Sequence, residues 1–496
     1  MDNKKKTKYN VIFGFSSQVI IIALGLIIPR IVLKNYDSDT NGLTSTVTQV
    51  FTYMALLEAG IGQATRNALY SPLSKNDKDG ISYIMSISRR YYRKITLFYA
   101  IGVVVLSALL PFLIKSRISY WTIFFVVFFE GLTQVISFWF TQNWIQLLTA
   151  AGDYYIRANA ELVGRVGGYG VKIVLATFGV NIAFIQLGYF LISLVKLIYY
   201  KWYMTKHFSW INYDIAPKEA KLPHRNAYIV SEIAWTVFSS TDLIILSMFC
   251  STELASVYAI YNMVFSNVNS VLNSIYQGTH YMLGRAYHEN SNKYIKMHDA
   301  FNSTFIGAMT MLMSVSYILI LPFVKLYTAG VADVEYVYEL LPLAFCLIQL
   351  LSWSRYVGGN LMMIAGYAKL AGKVSVVEAA VNLIGSLLLV NKFGIVGVAF
   401  ATVIALPIKV VCVTWISEKK ILHRSCLKTL AIYCTNAAIF IGAIVFERIY
   451  DLQIVDFYGF IKWGIILCIA FSLIVVALNC IVNPSILKLI KRYKGN

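Results

Sequence analysis

A chain of 496 residues that is 58% hydrophobic, 14% charged and formally +19 at neutral pH has too little polar surface to fold as one soluble domain. Its mean hydropathy of +0.65 points to lipid as the solvent. The positive charge does not indicate nucleic-acid binding, because the cations are split among short segments and form no single stripe.

Lys4, Lys5, Lys6 and Lys8 open the chain like a signal peptide. The apolar run at 11–33 is too long for an h-region, however, and no A-x-A site follows, so an uncleaved first helix is expected. Runs near the ~20 residues that a helix needs to cross ~30 Å of hydrocarbon recur at 43–69, 95–114, 120–148, 156–178, 182–203 and 228–250. They continue at 254–283, 301–327, 337–364, 370–390, 395–416, 427–447 and 459–482, which makes fourteen predicted helices. With the N-terminus inside, the tails and the loops after even-numbered helices hold 25 of the 43 Lys and Arg, against 5 on the other side. Lys and Arg gather in cytoplasmic loops, so this bias supports fourteen helices with both ends in the cytoplasm. It also implies attraction to anionic membrane lipids.

An internal repeat organises these helices. Gln134 and Ser137 recur as Gln349 and Ser352, Ala151-Gly152 as Ala365-Gly366, Phe178-Gly179-Val180 as Phe393-Gly394-Ile395, and Asn10 as Asn226, at offsets of 214 to 216. Six spans per copy give both copies one orientation. The expected fold is an all-α polytopic membrane protein with fourteen transmembrane helices, in which two parallel six-helix repeats form an N-lobe and a C-lobe and two helices follow. The predicted divisions are 1–206 for the N-lobe, 207–225 for a cytoplasmic linker, 226–418 for the C-lobe, and 419–496 for helices thirteen and fourteen with a cytoplasmic tail.

The segment GLTSTVTQVFTYMALLEAGIGQATRNALY, Gly42 to Tyr70, resembles the second helix of polysaccharide-type flippases in the multidrug/oligosaccharidyl-lipid/polysaccharide exporter superfamily. So does the Lys/Asn-rich N-terminus leading into a helix that ends Pro29-Arg30. The resemblance implies a V-shaped pair of lobes, alternating access, and a glycan carried on undecaprenyl pyrophosphate in a bacterial cytoplasmic membrane. It names neither the glycan nor the pathway.

The residues themselves suggest a polar path. Asn262, Ser266, Asn269, Asn273, Gln277 and His280 recur at three- and four-residue spacing on helix eight, and Glu130, Gln134, Ser137 and Thr141 on helix four. Amides and hydroxyls suit sugar hydroxyls, which both donate and accept; interhelical hydrogen bonding is the alternative reading. Arg30, Arg66 and Arg355, with Lys409 behind them, are embedded cations that match phosphate oxygens, although Arg30 and Arg66 could simply snorkel to headgroups. The substrate-binding candidates are therefore Arg30, Arg66, Arg355, Gln134, Gln349, Asn262, Asn269, Asn273 and Gln277. Asp242, Glu58 and Glu378 are the ion-coupling candidates for Na⁺ or H⁺; Glu130, Glu161 and Glu232 are further embedded acids. Glu161, Arg165 and Lys172 share one helix face and read as a structural ion pair.

No HExxH, GxSxG or Walker sequence occurs, and the seven cysteines form no CxxC pair, so an enzyme, a metal site and a cofactor are not expected. Four functions are weighed. A flippase for a lipid-linked oligosaccharide leads. A peptidoglycan-precursor flippase, a cation-coupled drug exporter, and a membrane glycan polymerase or ligase are the rivals. The expected partners are a lipid-linked oligosaccharide, anionic lipids and glycan polymerase machinery, without nucleic acid.

Overall fold

The computed structural model describes residues 23–58, 61–215, 233, 236–289, 291–450 and 452–484. Asn10, Asn226, Glu232 and most of the predicted linker lie outside the described residues, as do the side chains of Gln277 and His280. The described chain is helical throughout, with no strand, and eight of its helices are long and apolar enough to cross a membrane. It is a multi-pass membrane protein. Two compact units divide it, Met1–Ser256 and Val257–Asn496.

The first unit contains α1 (23–35), α2 (Ser38–Met54), α3 (Ile61–Ser74), α4 (Lys78–Leu113), α5 (Tyr120–Ile136), α6 (Gln142–Ala150), α7 (Tyr154–Thr177), α8 (Ile182–His207) and α9 (Asp242–Phe249). Predicted helix two is not continuous: α2 tightens into a 3₁₀ turn, Ala55–Glu58, before α3 begins. Predicted helix four is split by a π turn, Ser137–Thr141, between α5 and α6. Predicted helix three begins 17 residues earlier than its apolar run, because Asp77 caps the Gly80 amide and the basic segment after it is itself helical.

α10 (Thr252–Glu289) follows, and its first turn belongs to the first unit. That turn makes a tight polar junction with α2. Asp39, 3% exposed, accepts hydrogen bonds from the Ser116 hydroxyl (2.9 and 3.0 Å), the Arg117 backbone N–H (2.7 Å) and the Thr252 hydroxyl. The Asn41 amide donates to Ser256 at 2.8 Å. Gly42 lets the two backbones approach so closely that a Cβ there would lie 1.6 Å from the Thr252 carbonyl oxygen. The charge pattern placed Asp39 in an accessible outer loop; it is instead buried in this junction, because three donors compensate its desolvated carboxylate.

The second unit continues with α11 (Ser291–Tyr327), α12 (Leu340–Ser354), α13 (Tyr356–Ile364), α14 (Ala368–Trp415), α15 (Leu427–Ile449) and α16 (Phe457–Val482). α14 contains both predicted helices eleven and twelve as antiparallel arms, folded at Gly394 (φ 52°). The Asn382 amide donates to Thr402 at 2.6 Å across the arms, and Gly397 faces the Leu389 carbonyl. α11 packs against α12, α15 and α16. Ser303, Asn436 and Asn479 join α11, α15 and α16 through two 3.0 Å hydrogen bonds, where Gly307 lets Val475 come close. Where α14 ends, Arg424 grips Asp299 with both terminal nitrogens (3.0 and 2.5 Å) and also binds Glu418. Burial alone would lower the Arg424 pKa, but the hydrogen bonds and charges of these two acids raise it.

The repeat seen in the sequence has a backbone counterpart. Gly152 and Gly366 end broken helices with φ 77° and 84°, and Gly179 and Gly394 turn helical hairpins with φ 66° and 52°. Only glycine enters this left-handed region without strain, which explains why these positions recur. The π turn at Ser137–Thr141 and the break at Ser354–Arg355 likewise fall at matching places in the two copies.

Gly42→Ala is expected to abolish the yield of folded protein from membranes, whereas Gly359→Ala, where an added methyl meets nothing within 4 Å, should leave it unchanged. Size-exclusion profiles of the two detergent-extracted variants test this. Normal folding of Gly42→Ala would show that the junction is not a close backbone contact.

Candidate functional site

Embedded charges occur where the helices are interrupted. Glu58 ends the 3₁₀ turn after α2, Arg355 lies between α12 and α13, and Asp242 starts α9 directly after a break at Thr241. A helix break frees backbone groups that hydrocarbon cannot hydrogen-bond, so polar side chains collect there.

In the first unit, Glu58, Tyr92, Gln146 and Arg66 form one chain of hydrogen bonds. The Tyr92 hydroxyl donates to Glu58 Oε1 at 2.7 Å, the Gln146 amide donates to the Tyr92 oxygen at 3.3 Å, and Arg66 donates to Gln146 Oε1. Gly62 makes room, since a Cβ there would stand 2.9 Å from the Gln146 amide nitrogen. Arg66 and Glu58, assigned separate roles on sequence, thus belong to one network. Tyr92 and Gln146 were not singled out. Gln146 stands five residues past Thr141, off the three- and four-residue spacing of the polar side of predicted helix four, so spacing carried no signal for it.

A second polar group lies on α7 and α8. Glu161 pairs with Arg157 at 2.9 Å, not with Arg165, which corrects the expected pairing: both arginines lie one turn from the acid, and spacing alone does not choose between them. Lys172 lies over the Tyr189 ring at 4.3 Å, a cation–π contact in place of the expected ion pair. Glu130 accepts from Gln186, and Gln134 is half-buried beside the π turn. Arg30 is half-buried on α1, and Asp242 adjoins Thr241, which hydrogen-bonds Tyr53.

In the second unit, Arg355 and Glu378 form a buried ion pair, 6% and 2% exposed. Lys409 Nζ stands 3.5 Å from the other Glu378 oxygen and donates to Ser375 at 2.7 Å. Two cations therefore share one carboxylate, which leaves a surplus positive charge. Beside them the Trp353 ring stacks on Tyr356 at 4.3 Å, and Tyr276 meets both edge-on. The Trp353 indole donates to Asn269 Oδ1 at 2.7 Å, which ties the amide stripe of α10 to the helix break. Asn262, Asn269 and Asn273 are half-buried on α10, and Gln349 is half-buried on α12. Trp353, Tyr276 and Tyr356 read as ordinary core aromatics in sequence, with no signal to separate them.

No protein-family model matches this chain, and no curated protein sequence does. Solved structures do match. An inward-facing multidrug-resistance MATE-family transporter of the MOP superfamily has 13% identity over 86% of this chain and 98% of its own, with a TM-score of 0.64. The lipid II flippase MurJ, in an inward closed conformation, has 13% identity over 93% and 97%, with a TM-score of 0.66. A MOP-superfamily transporter from Pyrococcus furiosus has 14% identity over 86% and 98%, with a TM-score of 0.61. The fold is therefore the one these transporters share.

Removing one partner of a buried ion pair strands the other, at roughly 3–5 kcal/mol, whereas removing both costs less. Glu378→Ala should accordingly lower thermal stability in detergent more than the Arg355→Ala/Glu378→Ala double variant does, because the single change leaves Arg355 and Lys409 facing each other. Equal losses in the two proteins would mean that the pair is not coupled.

Proposed function

We propose that the chain carries an undecaprenyl-pyrophosphate-linked oligosaccharide repeat unit from the cytoplasmic to the outer leaflet by alternating access, for surface polysaccharide biosynthesis. The observation that carries this reading is the sign of the charge at the break between α12 and α13, where Arg355 and Lys409 share Glu378. A pyrophosphate entering a low-dielectric path needs cations whose charge persists, and Arg keeps its proton there. An exporter of cationic drugs would need the opposite surplus. The α10 amides at Asn262, Asn269 and Asn273 supply donors and acceptors for sugar hydroxyls.

Na⁺ or H⁺ coupling is part of the proposal. Glu378 is already held by two cations in this conformation, so Asp242 and Glu58 are the acids to examine first. We place the protein in a bacterial cytoplasmic membrane with both ends inside, and glycan polymerase machinery as its downstream partner. A peptidoglycan-precursor flippase is the second reading; the likeness to MurJ over 93% of the chain favours it.

Depleted cells are expected to accumulate an undecaprenyl-linked oligosaccharide that an impermeant glycosidase cannot reach, and to lose surface polysaccharide. Accumulation on the outer leaflet would indicate a polymerase or ligase. A build-up of the peptidoglycan precursor would select the second reading, and an unchanged pool with altered sensitivity to cationic drugs would sink both flippase readings.

Orientation has its own test in a cysteine-free background. Cysteines at exposed Lys78 and Lys420 should be shielded from an impermeant thiol reagent in intact cells, while one at exposed Asp333 should react. The reverse pattern would invert the assigned topology.

A further inference from the structure

The basic end of α4 is not used by the transport reading. Its apolar run begins at Ile95, and Arg89 and Arg93 precede it by six and two residues. At 1.5 Å of rise per residue they lie about 9 and about 3 Å beyond the hydrocarbon edge, within the layer that headgroups occupy. The charge distribution assigns this end of the helix to the cytoplasmic side.

Both guanidiniums stand over aromatic rings. Arg89 is 4.5 Å from the Tyr213 centroid, and Arg93 is 5.4 Å from that of Trp139 in the π turn. The rings are held in place. The Trp144 indole donates to the Tyr213 hydroxyl at 3.1 Å, and the Asn212 backbone N–H donates to Ser82 on α4 at 3.2 Å. Burial pushes the Tyr213 phenol up, so it remains a neutral acceptor. A guanidinium lying on a ring keeps its N–H edges free for phosphate oxygens.

Charge is what remains uncompensated. Arg89 and Arg93 are one turn apart, a spacing at which like charges repel. Among the described residues neither forms a salt bridge, although Asp214 is near enough to act on Arg89. An anion shared between the two would remove the repulsion.

We propose that Arg89 and Arg93, on the Tyr213 and Trp139 rings, form a binding site for the phosphate of an anionic phospholipid of the cytoplasmic leaflet. The proposal does not depend on what the protein transports. Such a lipid bridges α4 to the π turn of predicted helix four and to the segment after α8, so it tethers three parts of the first unit at the membrane surface.

The full-length protein should be placed in nanodiscs of phosphatidylcholine mixed with phosphatidylglycerol, and the lipids it retains counted by native mass spectrometry. The wild type is expected to hold phosphatidylglycerol in preference. Arg89→Gln/Arg93→Gln should lose that preference by roughly tenfold or more, the scale set by two cations at a membrane surface. Lys369→Gln/Lys373→Gln, which removes equal charge from the start of α14, assigned to the same side, should not. Arg89→Lys/Arg93→Lys keeps the charge without the fork and should fall between, which separates the site from general attraction. A wild type without preference, or a Gln variant that retains phosphatidylglycerol like the wild type, overturns the proposal. So does a site that retains added undecaprenyl pyrophosphate but no phosphatidylglycerol, which would assign these residues to the transport path.

Discussion

Hydrocarbon offers no partner to a freed backbone carbonyl or to a lone charge, and the internal architecture of this protein follows from that constraint. Its helices are interrupted after Met54, across Ser137–Thr141, at Thr241 and at Ser354–Arg355. Three of the four interruptions adjoin an embedded ionisable side chain. The fourth, at the π turn, is bridged by the hydroxyls of Ser137 and Thr141. Neutral hydroxyls serve carbonyls at the break in the second unit, Tyr433 at Ser354 and Tyr276 at Tyr356, and the strongest polar contacts concentrate at a few points along otherwise apolar rods.

The two units solve this problem differently. The first uses a relay of neutral and charged groups, Glu58, Tyr92, Gln146 and Arg66. The second brings two cations onto one acid and braces the break with stacked aromatics. A relay can reorganise by turning a hydroxyl or an amide. A buried ion pair can reorganise only if something else takes over one of its charges, and an anionic substrate has the right sign to do so at Arg355. This is the physical link between the charge surplus at this break and the proposed cargo.

Outside the apolar spans, polar junctions fix the ends of helices. Asp39 binds the start of α2 to the loop before α5 and to the first turn of α10, and Arg424 binds the end of α14 to α11. Neither was legible as a junction. Asp39 and Arg424 both stand in short polar segments, where a solvated side chain is the ordinary expectation, and the partners that make them junctions, Ser116 and Thr252 for Asp39 and Asp299 for Arg424, are 77 to 213 residues distant in sequence.

The sequence by itself determined the membrane class and most helix positions, because burial in lipid needs long apolar runs and these are local properties of the chain. It also located the repeated turns: Gly152, Gly179, Gly366 and Gly394 are glycines because the backbone there is left-handed, a constraint written in residue type. Helix starts were less legible, since the basic extension of α4 is polar and its helicity rests on the Asp77 cap and on packing against later segments. The tertiary structure alone decided which embedded charges meet. Arg355, Glu378 and Lys409 come together only because the hairpin at Gly394 folds one arm of α14 onto the other beside the break in predicted helix ten. Glu161 selected Arg157 over Arg165, although each lies one turn away on the same helix, and residue spacing could not distinguish the two.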